Sequence, residues 1–327
     1  MVRPEKQRVV HLIDDTTAGG VMRVIDHVVT SPELAKEATH VMRQVARGKV
    51  AFKGFDADVI VSHLSISWRT LPALLALRLF HPQTKLIHVE HSYTRAFMEY
   101  NVAKERRFKS LLRLGFGLFD RIVAVSDGQR QWMRDDALVA DHKLSLVRSY
   151  TDLGAFLKLP AASGDLRHFG AIGRLDRQKG FDLLIEAFRK SNNANLRLTI
   201  FGEGEEETSL RALAQGDPRI HFAGMASNPV EAYRKVDAVI MPSRWEAYGL
   251  VAIETISAGR TLFCSAVDGL ADHRCIGAQV TDGRTLDFDQ LSARPAAERC
   301  SDETNRNAIV SSLRLENTEA WKKLIAA

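Results

Sequence analysis

Short, mostly apolar runs alternate along this chain with longer segments whose apolar positions recur every three or four residues. In the first half the runs are VVHLI (9–13), THVMRQV (39–45), DVIVSHL (58–64), KLIHVEH (85–91), RIVAVS (121–126) and KLSLV (143–147). In the second half they are HFGAIG (168–173), LRLTIFG (196–202), RIHFAG (219–224), DAVIMPS (237–243) and TLFCSA (261–266). The periodic segments between them, such as VMRVIDHVV, FDLLIEAFRKS and LVAIETISA, predict helices. Near-continuous apolar strands separated by helices imply parallel sheets covered on both faces.

The segment from Asp152 to Asp165, with Pro160, Ala161, Ala162, Ser163 and Gly164, reads as a linker. The pattern therefore predicts two doubly wound α/β domains, with the boundary at residues 155/156. In such sheets ligands bind beyond the carboxyl ends of the strands. Two facing domains would share one cleft. The C-terminal LENTEAWKKLIAA reads as a helix.

Composition narrows the partners. The 327 residues are 45% hydrophobic and 26% charged, with net charge +5. This globular, mildly basic balance suits an anionic small molecule or an anionic surface without requiring nucleic acid. Cys264, Cys275 and Cys300 are too sparse for a disulfide framework or a zinc site, which makes a reduced, cytoplasmic setting the expectation. No apolar run is long enough to span a bilayer. Residues 103–119, AKERRFKSLLRLGFGLF, are basic and amphipathic. They read as a core-packed helix with a cationic rim, or as a peripheral membrane contact.

Three pieces of the second half suit a phosphate and a sugar. Arg174 and Lys179 lie in the turn after HFGAIG, where a bidentate guanidinium and a point charge fit a diphosphate. FGEGEEE (201–207) carries Gly202 and Gly204, expected to let backbone approach the donor, but has Glu207 where a dinucleotide fingerprint needs glycine, which disfavours a nicotinamide cofactor. RWEAYGLVAIETISAG (244–259) sets Glu246 before a helix start at Gly249 and Leu250, and Glu254 within the helix. Bare amides there make an anion site, and the carboxylates suit neutral hydroxyls.

HVEH (88–91) is not a metal site by this pattern, because His88 and His91 point to opposite faces of a strand. Asp56-Ala57-Asp58 and Asp287-Phe288-Asp289 do not close an apolar strand and read as surface carboxylates. No metal is expected to be essential.

IGRLDRQKGFDLLIEAF, IFGEGEEETSL and PSRWEAYGLVAIETISAG, in this order, resemble the retaining glycosyltransferases of family four, which have the GT-B fold. TTAGGVMRVIDHV and DRIVAVSDGQRQWM are similar to that family's first-domain segments. The resemblance implies two Rossmann-like domains facing a shared cleft, residues 1–155 with helix 314–327 and residues 156–313. It implies that Arg174 and Lys179 hold the donor diphosphate. Glu246 would contact the donor sugar, with Tyr248, Gly249 and Leu250 lending backbone groups, and Glu254 would bind the ribose. Gly19 and Gly20 would approach the phosphates from the first domain, and His91 would approach the reacting centre.

The expected activity is transfer, with retention, from a nucleoside-diphosphate sugar to a saccharide or lipid-linked acceptor, in cell-surface polysaccharide or glycolipid synthesis. The sugar nucleotide is a substrate, so no cofactor is expected. A nucleotide-sugar epimerase and an inactive nucleotide-sugar-binding protein are the alternatives. The segment VRSYTDLGAF lacks the family's Asn-Gly pair, and the first half is short, which bears on the acceptor more than on the donor.

Overall fold

The computed structural model describes residues 6–15, 19–46, 54–162, 164–226, 228–281, 286–294 and 303–326. The chain forms two compact units, one from residues 1–151 with 313–327 and one from 152–312. The first contains β1 (Gln7–Ile13), α1 (Gly20–Thr30), β2 (Ala38–Gln44), β3 (Val59–Ser62), α2 (Leu71–Phe80), β4 (Lys85–Glu90), α3 (Arg95–Asn101), α4 (Glu105–Gly117), β5 (Arg121–Ala124), α5 (Asp127–Asp135) and β6 (Leu144–Leu146). Its six strands are all parallel, in the order β2-β1-β3-β4-β5-β6. Val10, Leu12, Ile60, Leu86, Ile122 and Ala124 point from the strands into a core completed by Leu74, Leu77, Leu112, Phe116 and Trp132 from the helices.

The second unit contains α6 (Gly154–Leu157), β7 (His168–Ile172), α7 (Phe181–Lys190), β8 (Arg197–Phe201), α8 (Glu207–Ala214), β9 (Ile220–Gly224), α9 (Pro229–Arg234), β10 (Ala238–Met241), α10 (Leu250–Ser257), β11 (Thr261–Ser265), β12 (Gln279–Thr281) and α11 (Phe288–Ser292). Its six parallel strands run β12-β11-β10-β7-β8-β9. Helix α12 (Glu303–Ala326) begins in this unit, and its later turns belong to the first, where Asn317 Nδ2 donates to the Arg148 carbonyl at 2.7 Å.

The segment read as a linker is tied to the second unit by three of its side chains. Leu153, Phe156 and Leu159 are buried, with Phe156 edge-on to Tyr233. Buried Arg260 donates to the Pro160 carbonyl at 2.7 Å. These contacts place the boundary at 151/152 rather than 155/156, since an apolar triplet packs with the core it touches.

Strand order locates the sites. In the second sheet the chain starts at β7, builds β8 and β9 to one side, then returns to lay β10 on the other side of β7. The loops after β7 and β10 therefore diverge at the sheet's carboxyl edge, leaving the crevice where doubly wound folds bind ligands. In the first sheet the corresponding switch lies between β1 and β3.

Candidate functional site

In the second unit the crevice brings together Lys179, after β7, and Glu246, after β10, which are 67 residues apart. Lys179 Nζ donates to Glu246 Oε2 at 2.5 Å, with side chains 18% and 12% exposed. Both loops are braced. Asp176 caps the short turn Arg177–Lys179. Arg244 makes a two-pronged contact with Asp182 at 2.8 and 2.6 Å, and its amide donates to the Gln178 carbonyl at 2.8 Å. Gln178 Nε2 donates to the Trp245 carbonyl at 3.1 Å. Asp268 Oδ2 accepts from the Glu246 amide at 3.2 Å. The ion pair is thus held by loops already tied to each other.

Helix α10 begins in the same loop. Its N-cap is Gly249, at φ 88°, without a side-chain cap and without an acidic residue in the first turn. A side chain at 249 would strike Leu270 Cδ2 at 2.7 Å, so glycine alone fits both the angle and the space. His273 Nε2 donates to the Tyr248 carbonyl at 2.7 Å, which fixes the peptide leading into this helix start. Glu254, just over one turn in, is buried, and its Oε2 accepts from the Tyr233 hydroxyl at 2.6 Å. Arg174 is 74% exposed, with its guanidinium 3.8 Å from Asp176 beside the crevice.

Gly202 and Gly204 serve the turn itself. A Cβ on Gly202 would fall 1.9 Å from the Gly173 carbonyl oxygen, and one on Gly204 2.3 Å from that of Leu175. Two strand-to-loop turns pass too closely for side chains, which is reason enough for glycine at both positions.

In the first unit, Gly19 caps α1 and Gly20 begins it, again without a side-chain cap. Residues 16–18 of that loop lie outside the described residues. His91 follows β4 directly. Its turn is pinned by Glu90, whose Oε1 accepts from the amides of Ser92 and Tyr93 at 2.8 and 3.0 Å. Gln129 of α5 donates to the carbonyls of Glu90 and Tyr93 at 3.1 and 2.8 Å. Burial opposes the Glu90 charge, but hydrogen bonds from His88 and these amides win and hold its carboxyl below the usual range.

His91 is also the end of a hydrogen-bonded row of imidazoles. His91 Nε2 lies 2.8 Å from His63 Nδ1, His63 Nε2 3.0 Å from His11 Nδ1, and His11 Nε2 2.9 Å from His40 Nδ1. Burial, aided by repulsion from His40, lowers the His11 ring to about 3. His40 is lowered to about 4 by burial, and His91 to about 4 chiefly by burial. A histidine whose folded pKa lies below its unfolded value contributes stability above the unfolded pKa and loses it as pH falls toward the folded one. The window here runs from about pH 6.5 down to about 4. His40 alone accounts for about 2 kcal/mol of loss at pH 5. The melting temperature should fall between pH 7.5 and 5, before carboxylates titrate, and the fall should shrink in His40→Phe. A flat profile over that range would contradict neutral burial of the row.

The remaining expectations resolve simply. Asp58 accepts from the Arg8 amide and Asp56 pairs with the Arg8 side chain. Asp287 caps α11, and Asp289 accepts from Ser191 Oγ at 2.5 Å. In α4, Lys109 pairs with Asp136, and Arg113 donates to the carbonyls of Asp136 and Ala137, so two of its cations serve packing. Lys104, Arg106 and Arg107 stay exposed. Cys264 is buried and Cys275 exposed, while Cys300 lies outside the described residues. Among the described residues no helix is long and apolar enough to cross a membrane. A depression of about 420 Å³ lined by Leu157–Ala161, Glu303 and Arg306 shares no residue with the sites above.

Comparison with known proteins agrees with this geometry. Residues 167–289 match the model described as glycosyl transferases group 1, and residues 6–153 the model of glycosyltransferase family 4. The chain belongs to the group 1 glycosyltransferases and has their GT-B architecture. It is 28% identical over 159 residues to an uncharacterized glycosyltransferase of Methanocaldococcus jannaschii, covering 47% of this chain and 38% of that protein. It is 34% identical over 118 residues to a glycogen synthase of Thermus thermophilus, covering 35% of this chain and 26% of that enzyme. The matched stretches thus span well under half the length of these two relatives. Among solved structures, sucrose-phosphate synthase from Thermosynechococcus elongatus shares the fold at TM-score 0.77 and 17% identity, covering 98% of this chain and 100% of that one. Anabaena HepE in complex with UDP does so at TM-score 0.74 and 13% identity, covering 98% and 100%.

Proposed function

We propose that this protein is a retaining glycosyltransferase that moves a sugar from a nucleoside-diphosphate donor to a saccharide or lipid-linked acceptor. The observation that carries the reading is the Lys179–Glu246 pair at the switch point of the second sheet, beside the uncapped start of α10. A diphosphate entering there draws Lys179 away from Glu246, joins the amides of α10 and recruits exposed Arg174. Glu246, released from the lysine, is then an acceptor for sugar hydroxyls. A ribose hydroxyl reaching Glu254 shares that carboxylate with Tyr233. HepE, a protein of the same fold, has been crystallised with UDP and with UDP-glucose, which supports a nucleotide-sugar donor here.

In the reaction we propose, the bond from the anomeric carbon to the diphosphate breaks with its electron pair going to the phosphate oxygen. The acceptor oxygen bonds to the same face of that carbon, and its proton passes to the departing diphosphate. Cations and helix amides aimed at the leaving group stabilise charge that develops only in the transition state. A thermal-shift panel of UDP, GDP, ADP and their sugars tests the donor half. A ligand bound only by the folded protein raises its melting temperature, so one base is expected to stand out. No rise with any of them would end the reading.

A further inference from the structure

The four histidines lie on four adjacent strands or the loops directly following them, and their order, His40, His11, His63, His91, is the order β2-β1-β3-β4 in the sheet. Their ring centroids are 5.3, 5.3 and 5.1 Å apart, with planes tilted by only 29°, 18° and 27°. Each centroid separation equals the matching nitrogen separation plus about two ring radii. The rings therefore lie end to end, each nitrogen aimed at the next, rather than face on face. Trp321 of α12 closes over His11 edge-on, with ring centroids 5.8 Å apart.

Proton counting leaves this row two states. A neutral imidazole carries one N–H and one lone pair. Each of the three nitrogen–nitrogen contacts needs one proton, since two donors or two lone pairs facing each other repel. Four neutral rings carry four protons, so three fill the contacts and the fourth sits at one end. With the fourth on His91 Nδ1, every ring is protonated at Nδ1. With the fourth on His40 Nε2, every ring is protonated at Nε2. No mixed arrangement satisfies all three contacts.

The buried end decides between them. His40 Nε2 is sealed from solvent and has no hydrogen-bond partner among the described residues. A buried N–H without an acceptor is rarer in proteins than an acceptor without a donor, and leaving such a donor unmade costs its full desolvation. His91, by contrast, is only half-buried. We infer that the row is a tautomer lock: it holds His91 neutral with its proton on Nδ1, and so presents a fixed hydrogen-bond donor at the carboxyl edge of the first sheet, suited to a hydroxyl or phosphate oxygen of a ligand. His63, His11 and His40 are positioning residues that act through His91. The dead end at His40 makes the row a lock rather than a proton wire, since His40 Nε2 has no partner among the described residues to which a proton could be passed on. The low pKa values of the rings keep the lock set across the physiological range.

That a ligand meets His91 rests on the function proposed above, whereas the lock itself does not. The test separates them. Protein labelled with ¹⁵N in histidine is examined at pH 7.5 by two-bond proton–nitrogen correlation, which distinguishes the two tautomers. All four rings are expected in the Nδ1–H form. In His63→Phe, His91 should leave that form, and His63→Gln, which keeps one donor and one acceptor, should restore it. An Nε2–H signal for His91 in the unmodified protein, or one unchanged by His63→Phe, overturns the lock. If His63→Phe does not fold, the unmodified spectrum alone decides. For the ligand, His91→Phe and His63→Phe should both lower turnover more than tenfold, with His63→Gln recovering most of the loss. Full turnover in His91→Phe alongside an intact Nδ1–H spectrum would leave the lock standing and remove His91 from the reaction.

Discussion

Lys179→Ala should cut turnover by about a hundredfold or more while leaving a folded protein. The lysine ends a capped turn and is held by a single strong contact, to Glu246 at 2.5 Å. Nothing in the core depends on it, so the loss falls on the site. Removing one preorganised group that stabilises a developing anion typically costs about 3–4 kcal/mol, which is the hundredfold or more expected. Glu246, its side chain only 12% exposed, would then lack its cation, so the melting temperature should fall modestly while the protein stays folded. Arg174→Ala should act in the same direction. It is the more exposed of the two, 3.8 Å from Asp176, and its contribution is expected when a diphosphate engages it. Steady-state kinetics with the donor identified by thermal shift would measure both. Losses under threefold for both variants would remove these residues from the leaving-group role.

Gly202→Ala should be the most damaging single methyl in the second unit, costing at least about 3 kcal/mol. The residue sits at φ 142°, and its new Cβ would lie 1.9 Å from the Gly173 carbonyl oxygen. That oxygen belongs to backbone, so no flexible tip can yield. The flanking bonds resist a shift as well: Gly202 donates to the Gly224 carbonyl at 2.9 Å and Gly173 to that of Phe201 at 3.0 Å. Gly216→Ala is the control. It has a similar sign of φ, 69°, but open space around the added carbon. It should cost only about 1 kcal/mol. Urea denaturation of both variants separates collision from backbone preference. Equal losses would show that the two turns do not approach each other as described.

These two predictions rest on different parts of what the sequence shows. The strands were legible because a strand buried on both faces must be apolar along its whole length, and VVHLI, RIVAVS and DAVIMPS satisfy that. The ends of α10 were legible for a local reason as well, since Gly249 and Gly259 both adopt positive φ. Less was visible where tertiary contacts outweigh local signals. The segment RAFMEYN forms α3 in under two turns, and β12 is a three-residue edge strand, half-buried. The run of Pro160, Ala161 and Ala162 imitates a free linker, yet Arg260 and the buried Phe156 hold it.

The candidate site divides in the same way. Arg174, Lys179, Glu246 and Gly249 could be picked out as residue types suited to a sugar diphosphate. That Lys179 and Glu246 touch could not, because the contact is made by strand order and not by spacing. His11, His40 and His63 give even less warning. Each stands in or just after an apolar strand, and only the arrangement β2-β1-β3-β4 sets them in a row with His91. Glu90 and Gln129, which fix the turn carrying His91, look in the sequence like an ordinary strand end and a helix residue. Their signal is burial: both are enclosed, and a buried polar side chain must be hydrogen-bonded to something.

The central claim is that the carboxyl edge of the second sheet captures a diphosphate by exchanging Glu246 for phosphate at Lys179. Isothermal titration calorimetry tests it most directly, with the unmodified protein and Lys179→Ala each titrated with the nucleoside diphosphate that gives the largest thermal shift. Saturable binding to the unmodified protein, weakened at least tenfold in the variant, is the predicted result. Equal affinity in both proteins, or no heat of binding at millimolar ligand, would contradict it.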